Sequence, residues 1–322
     1  MSRQDIIALL GADWVRTLDL IREHLHSDVG LLEETNGRIL ENSGKMLRPM
    51  ISLLIAKAIA EPTDDSICYA AATELFHNAT LLHDDVADGS AERRGRPTVA
   101  ALLGPSAAVL VGDYWLARAV DLVVASKHSG QAIRLFSRTL TDLAEGEMLQ
   151  LEKAASCDTG LSDYLRIVHC KTASLFCVAA LTAAVSVDAA PAGQEAARAY
   201  AAAFGTAFQI QDDILDYAGS AELGKPVGVD LREQKITLPL LGALAGSPRE
   251  AEIRQMVRDI PAHPEYCAEI RRFVADRDGI GFATQHLRTW VERAEQALGA
   301  FRDGPAKDAL LEIARYTLRR QV

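Results

Sequence analysis

The chain has 322 residues, 49% of them hydrophobic and 24% charged, with a formal net charge of −10 at pH 7. That profile excludes a disordered or fibrous protein. The acidic balance excludes sequence-independent nucleic-acid binding, which draws its affinity from clustered Lys and Arg, so any phosphate site has to be local.

Taken in chain order, apolar residues recur at three- and four-residue spacing and alternating runs are few, which predicts an all-α fold. The stretch 1–27 mixes both charge signs through an amphipathic pattern and reads as the first helix, not a signal peptide. Breaks follow at 26–30, 42–45, 60–65, 95–98, 126–130, 156–160, 188–193, 218–228, 245–250 and 261–265, marked by Gly, Pro, Ser and Asp. None is long or polar enough for a linker, so 1–322 reads as a single large bundle of long helices in one domain. The least polar stretch, Thr172 to Val187, falls short of a comfortable bilayer span and reads as a buried core helix, leaving no transmembrane segment. Cys68, Cys157, Cys170, Cys177 and Cys267 are scattered and odd in number, as reduced thiols of a cytoplasmic protein would be.

Two acidic motifs echo each other: DDVAD at 84–88 and DDILD at 212–216, each closing an apolar helical run. At 3.6 residues per turn, Asp84 and Asp88 share one helix face and Asp85 is turned aside; Asp212, Asp216 and Asp213 repeat the arrangement. Carboxylates one turn apart repel unless a cation joins them. Mg²⁺ takes one or two carboxylates and completes its shell with phosphate oxygens and water. Arg93, Arg94 and Arg96 follow the first motif, and Lys45 and Arg48 precede it, so guanidinium forks suited to phosphate lie close to the carboxylates in sequence. A diphosphate carrying an apolar tail satisfies all three features.

With these residues in view, the chain from about Gly44 to Pro239 resembles the trans-isoprenyl diphosphate synthases, most closely the long-chain octaprenyl type. The landmarks run in family order: GKMLRP, ELFHNATLLHDDVADGSAERRGRPT, VLVGDYWLARA, EGEMLQL, KTASLF, GTAFQIQDDILDYAG and GKPVGVDLREQKITLPLL. Val229 and Gln234 depart from the customary residues in the last motif, where a polar residue and a glycine are usual. The resemblance implies an isoprenoid-synthase bundle around a central cavity, working as a homodimer through helices that carry much of 106–124. It implies condensation of isopentenyl diphosphate with an allylic prenyl diphosphate. Asp84, Asp88 and Asp212 are then the ligands of three Mg²⁺ ions, with Asp85 and Asp216 as supporting or alternate ligands. Arg93, Lys171 and Lys235 grip the allylic diphosphate. Lys45, Arg48, His77 and Arg94 bind isopentenyl diphosphate. Thr172 and Gln209 shield the carbocation, and the released diphosphate takes the proton. Glu145, Glu147 and Gln150 are left without a role, as are residues 246–322, whose basic end at 315–322 reads as a solvated tail.

Residues one and two turns before Asp84 are expected to set product length. Ala79 and Thr80 are small and leave a channel open, while Phe76, about 12 Å deeper by helix rise, is either its floor or a ring packed sideways into the core. A product of C25 or longer, near C40, follows, with a geranylgeranyl diphosphate synthase as the alternative. Replacing Ala79 with Phe is expected to shorten the product. A class I terpene cyclase would replace the second Asp motif with an Asn/Ser/Glu set. Glu23/His26 and Glu74/His77 have the Glu-x-x-His spacing of di-iron bundles, a reading with no use for the paired Asp motifs or the arginines.

Overall fold

The computed structural model describes residues 1–218 and 228–319. Most of the break at 218–228, with residues 224–227 of the last motif, and residues 320–322 of the basic end lie outside the described residues. The all-α expectation holds. The helices are α1 (Arg3–Leu10), α2 (Ala12–Leu25), α3 (Gly30–Glu41), α4 (Leu47–Ile59), α5 (Asp64–Ala87), α6 (Val99–Leu103), α7 (Pro105–Ala125), α8 (Ser129–Ser156), α9 (Leu161–Val168), α10 (Ser174–Ser186), α11 (Pro191–Ala218), α12 (Val229–Arg232), α13 (Leu238–Leu244), α14 (Glu250–Asp259), α15 (Tyr266–Asp276), α16 (Gly279–Ala297) and α17 (Pro305–Arg319). Two two-residue strands, β1 (Glu92–Arg93) and β2 (Arg96–Pro97), form a hairpin between α5 and α6.

Contacts divide the chain into two compact units, one of residues 1–137, 178–197 and 300–310, the other of 138–177, 198–299 and 311–322. Apart from one at 299/300, the division points fall inside α8, α10, α11 and α17, not in linkers.

In the first unit α5 packs against α2, α4 and α7. Its start is fixed by Thr63, whose hydroxyl accepts the Ser66 N–H while the Ser66 hydroxyl accepts the Thr63 N–H. Ile67, Ala70, Ala71, Leu75, Phe76, Ala79 and Leu82 are buried along it, each large one contributing about 1.5–3 kcal/mol. Asp88 caps the end, its N–H returning to the Asp84 carbonyl at 2.8 Å, so the helix stops where its acidic pair is displayed. The stretch expected to be one first helix is two: Gly11 interrupts it with φ +52°, a turn that amphipathic periodicity does not register.

In the second unit α13 packs on α15 and α16, and α14 on α15. α9 runs without a break into a single π turn, His169–Ala173, which adds a residue to the helical repeat. The resulting helix, Leu161–Ser186, is the one described helix long and apolar enough to cross a membrane, and 78% of its most apolar window is buried, as a core helix requires.

Candidate active site

In the first unit the hairpin fixes the arginines. Arg93 and Arg96 pair across it, and Arg94 and Gly95 form its tip with φ +55° and +72°, the two-residue turn that suits strand twist. Arg93 donates Nε and Nη2 to Asp85 Oδ1, at 2.8 and 2.7 Å. Asp85 is buried, so the middle carboxylate of the motif faces inward to Arg93 while Asp84 is half-buried and Asp88 exposed. Arg94 donates Nη1 to the Asn42 carbonyl, and the Asn42 amide donates to the Arg93 carbonyl at 3.4 Å. The hairpin is thereby tied to the loop before α4, where Lys45 lies. Gly44 has φ +71°, and a Cβ there would stand 2.6 Å from Arg94 Cζ, so the loop needs glycine both for its backbone and for the space the guanidinium fills.

Arg48, in the first turn of α4, acts electrostatically on Glu74 and His77 of α5, and so does Arg94. Burial and the three guanidiniums of Arg48, Arg94 and Arg93 hold His77 well below its ordinary range, leaving a neutral imidazole. Burial raises the Glu74 carboxyl, against the pull of Arg48, an Asn78 hydrogen bond and Arg94. Asp85, Arg93, Arg94 and Arg96 line one cavity of about 440 Å³ together with Arg38 and Asn42; Lys45, Arg48 and His77 are not among its lining residues. Phe76 packs sideways on Phe136, ring centroids 5.7 Å apart, Ala79 is fully buried, and the Thr80 hydroxyl donates to the His77 carbonyl at 2.8 Å.

In the second unit the π turn carries Lys171 and Thr172. Two glycines let neighbouring helices close on it: a Cβ at Gly146 would meet Cys170 Cβ at 2.5 Å, and one at Gly205 would meet Ala173 Cα at 2.6 Å. Lys171 pairs with Glu147, whose other oxygen accepts the Gln150 amide at 3.1 Å; these two residues had no role in the sequence reading. Thr172 Oγ1 donates to Gln209 Oε1 at 2.7 Å, Gln209 Nε2 donates to Asp213 Oδ1 at 2.9 Å, and the Tyr164 hydroxyl bonds Asp213 Oδ2 at 2.6 Å. Burial and the nearby Asp230 raise Asp213 well above the carboxylate range, opposed by its bonds to Tyr164 and Gln209. Burial and Asp216 push Asp230 up to about 7.

Asp216 accepts the N–H groups of Val229 and Asp230 at 3.0 and 3.2 Å, which ties α11 to the start of α12. Those donors are backbone groups, so the Val229 side chain is not called on. Gln234 keeps the left-handed backbone of the customary glycine, φ +58°, and its amide donates to the Arg258 carbonyl at 2.9 Å. Lys235 follows it and pairs with Glu233.

Among the described residues no three His, Cys, Asp or Glu side chains converge as a metal cage. The carboxylates of Asp84 and Asp88 are oxygen donors of the kind a hard cation takes one or two at a time, completing its shell with phosphate and water. Glu74 and His77 of the di-iron motif lie instead beside two arginines.

The polyprenyl synthetase family model matches residues 29–274. The chain belongs to the polyprenyl synthetase family. It is 37% identical to an all-trans-nonaprenyl-diphosphate synthase (geranyl-diphosphate specific) of Rhodobacter capsulatus, over 99% of this chain and 98% of that one. It is 34% identical to an octaprenyl diphosphate synthase of Escherichia coli, over 99% of both chains. The crystal structure of a polyprenyl synthase from Caulobacter crescentus, complexed with calcium and isoprenyl diphosphate, superposes with a TM-score of 0.90 at 35% identity, over 100% of this chain and 98% of that one. As a polyprenyl synthetase the chain is a prenyltransferase, and a calcium-bound relative agrees with a site for hard cations.

Proposed function

We propose that this polyprenyl synthetase condenses isopentenyl diphosphate with an allylic prenyl diphosphate to give an all-trans product of C25 or longer, near C40. The observation that carries this is the pair of Asp motifs on helix ends within a family match of residues 29–274. Octaprenyl and nonaprenyl relatives support the product range.

Asp84, Asp88 and Asp212 would hold Mg²⁺, three ions in all, and the metal when bound supplies charge stabilisation to the departing diphosphate. Arg93, held by Asp85, and Lys171, held by Glu147, bind the allylic diphosphate with Lys235. Lys45, Arg48, Arg94 and neutral His77 bind isopentenyl diphosphate, the imidazole adding a hydrogen bond without charge. The allylic C–O bond breaks, the alkene of isopentenyl diphosphate forms the new C–C bond, and the released diphosphate takes the proton. Thr172 and Gln209 face the transient cation. Ala79 and Thr80 leave room for the growing chain, with Phe76 as the residue below them.

The chain acts as one catalytic domain and as a homodimer; α7 supports the dimer by exposing Leu110 at 69% and Val124 at 58%. Five free cysteines support a cytoplasmic setting. The test is diphosphate release by the purified chain. It should require both substrates and Mg²⁺ and stop with excess chelator; release without isopentenyl diphosphate would point to hydrolysis or cyclisation instead.

A further inference from the structure

We propose that Glu147 and Gln150 are positioning residues that hold the Lys171 ammonium where the allylic diphosphate arrives, and so set the affinity for that substrate. The inference rests on the reading of Lys171 as a group that grips the allylic diphosphate.

The placement begins with the backbone. Four consecutive side chains of the π turn divide between two neighbouring helices: Cys170 and Lys171 lie against α8 at Gly146 and Glu147, and Thr172 and Ala173 lie against α11 at Gln209 and Gly205. Single π turns of this kind recur at functional sites. The stem of Lys171 runs over Gly146, where a Cβ would stand 3.1 Å from Lys171 Cγ and 3.3 Å from its backbone nitrogen. The head of Lys171 pairs with Glu147 Oε2, and Glu147 Oε1 accepts the Gln150 amide at 3.1 Å from one turn further along α8. Each carboxylate oxygen thus has one donor, which fixes the plane of the carboxylate and with it the place of the ammonium. Lys171 and Glu147 are 27% and 26% exposed, so the pair stands at the edge of solvent without being free to sweep through it.

A lysine side chain has more rotamer freedom to lose on binding than most. With its stem packed on glycine and its head paired, Lys171 has lost much of that freedom before substrate arrives. An ammonium has three donors. Glu147 takes one of them, and two remain for diphosphate oxygens. The Glu147 carboxylate also repels a diphosphate, which works in the opposite direction. The sign of the effect of removing it therefore separates positioning from simple charge.

The experiment is steady-state kinetics on wild type, Glu147→Gln, Glu147→Ala, Gln150→Ala, Lys171→Ala and the Glu147→Ala/Lys171→Ala double variant, with inhibition by inorganic diphosphate and melting temperatures measured alongside. Glu147→Ala should raise KM for the allylic substrate and Ki for inorganic diphosphate about fivefold, the upper end for a partly exposed ion pair. It should leave kcat and KM for isopentenyl diphosphate within about twofold of wild type, as the loss of a uniform binding contribution does. Glu147→Gln, which keeps the size of the side chain, and Gln150→Ala should give the same split at a smaller size, and Glu147→Gln reads it if the alanine variant fails to fold. In the Lys171→Ala background Glu147→Ala should do nothing further. Glu145, paired with Arg166 at 3.5 Å, ties the same two helices, so Glu145→Ala should leave the allylic KM at its wild-type value. An allylic KM that is unchanged or lower without Glu147, a matching rise in KM for isopentenyl diphosphate, a further loss in the Lys171→Ala background, or an equal rise in Glu145→Ala would overturn the proposal. A wild-type allylic KM in Lys171→Ala would overturn the reading of Lys171 and the proposal together, whereas a raised one there with wild-type values in both Glu147 variants would overturn the proposal alone.

Discussion

Asp85 holds Arg93 through a single carboxylate oxygen that accepts both Nε and Nη2, at 2.8 and 2.7 Å. The sequence reading placed Asp85 among supporting or alternate metal ligands; its side chain is turned from the Asp84 and Asp88 face and buried against the hairpin. Replacing Arg93 with Ala leaves that carboxylate buried without its two donors, which costs about 1–3 kcal/mol and should lower the urea midpoint. Asp85→Asn keeps the shape and weakens the grip. It should raise KM for the allylic substrate several-fold while KM for isopentenyl diphosphate stays near wild type. Equal rises in both would place Asp85 elsewhere in the mechanism.

His77 gives a pH dependence with a definite sign. Burial and the neighbouring Arg48, Arg94 and Arg93 lower its folded pKa well below 6.5, the value it regains on unfolding. Between the two values the unfolded chain binds the extra proton, so stability is lost as pH falls below about 6.5 and is retained above it. Urea midpoints of wild type and His77→Gln at about pH 7.5 and about pH 5.5 test this. The variant should lose less stability across that interval, and parallel losses would show that His77 is protonated in the folded protein.

Gln234 combines a strained backbone with a side-chain anchor. A left-handed residue with a Cβ costs about 1–2 kcal/mol, and the amide bond to the Arg258 carbonyl offsets part of that. Gln234→Ala should lose the bond and keep the strain, lowering stability by about 1 kcal/mol. Gln234→Gly should recover most of that difference. Thermal melts of the two variants decide it, and an alanine variant as stable as wild type would remove the anchor.

Product length should respond more cleanly at Thr80 than at Ala79. Ala79 is fully buried, and a Phe there overpacks the core at a cost of about 1–3 kcal/mol. Thr80 is half-buried, and its hydroxyl donates to the His77 carbonyl of its own helix. Thr80→Phe should fold and shift the product ladder to shorter chains; an unchanged ladder from a folded variant would end the channel argument.

Much of this was legible in the sequence. The Asp84/Asp88 and Asp212/Asp216 faces follow from helical repeat alone, and the Gly, Pro and Ser clusters located most helix ends from α2 to α15. The breaks before α16 and α17 were not anticipated, although Asp276–Gly279 and Asp303–Pro305 carry the same Asp, Gly and Pro marks. The π turn was hidden for a different reason: one inserted residue shifts the helical repeat, and α10, which follows it, is too uniformly apolar to show a displaced face. Glu147 with Lys171 and Tyr164 with Asp213 are separated by 24 and 49 positions, and pairing over such distances follows from packing, not periodicity. The glycine expected before Lys235 was chemically informative even in its absence, because Gln234 adopts the same backbone.

The most direct test is chain-length analysis of products made by the purified protein from Mg²⁺, labelled isopentenyl diphosphate and, in turn, dimethylallyl, geranyl, farnesyl and geranylgeranyl diphosphates. The account predicts prenyl diphosphates of C25 or longer, centred near C40, with at least one primer. No elongated product with any primer, or a hydrocarbon in place of a diphosphate, would contradict it.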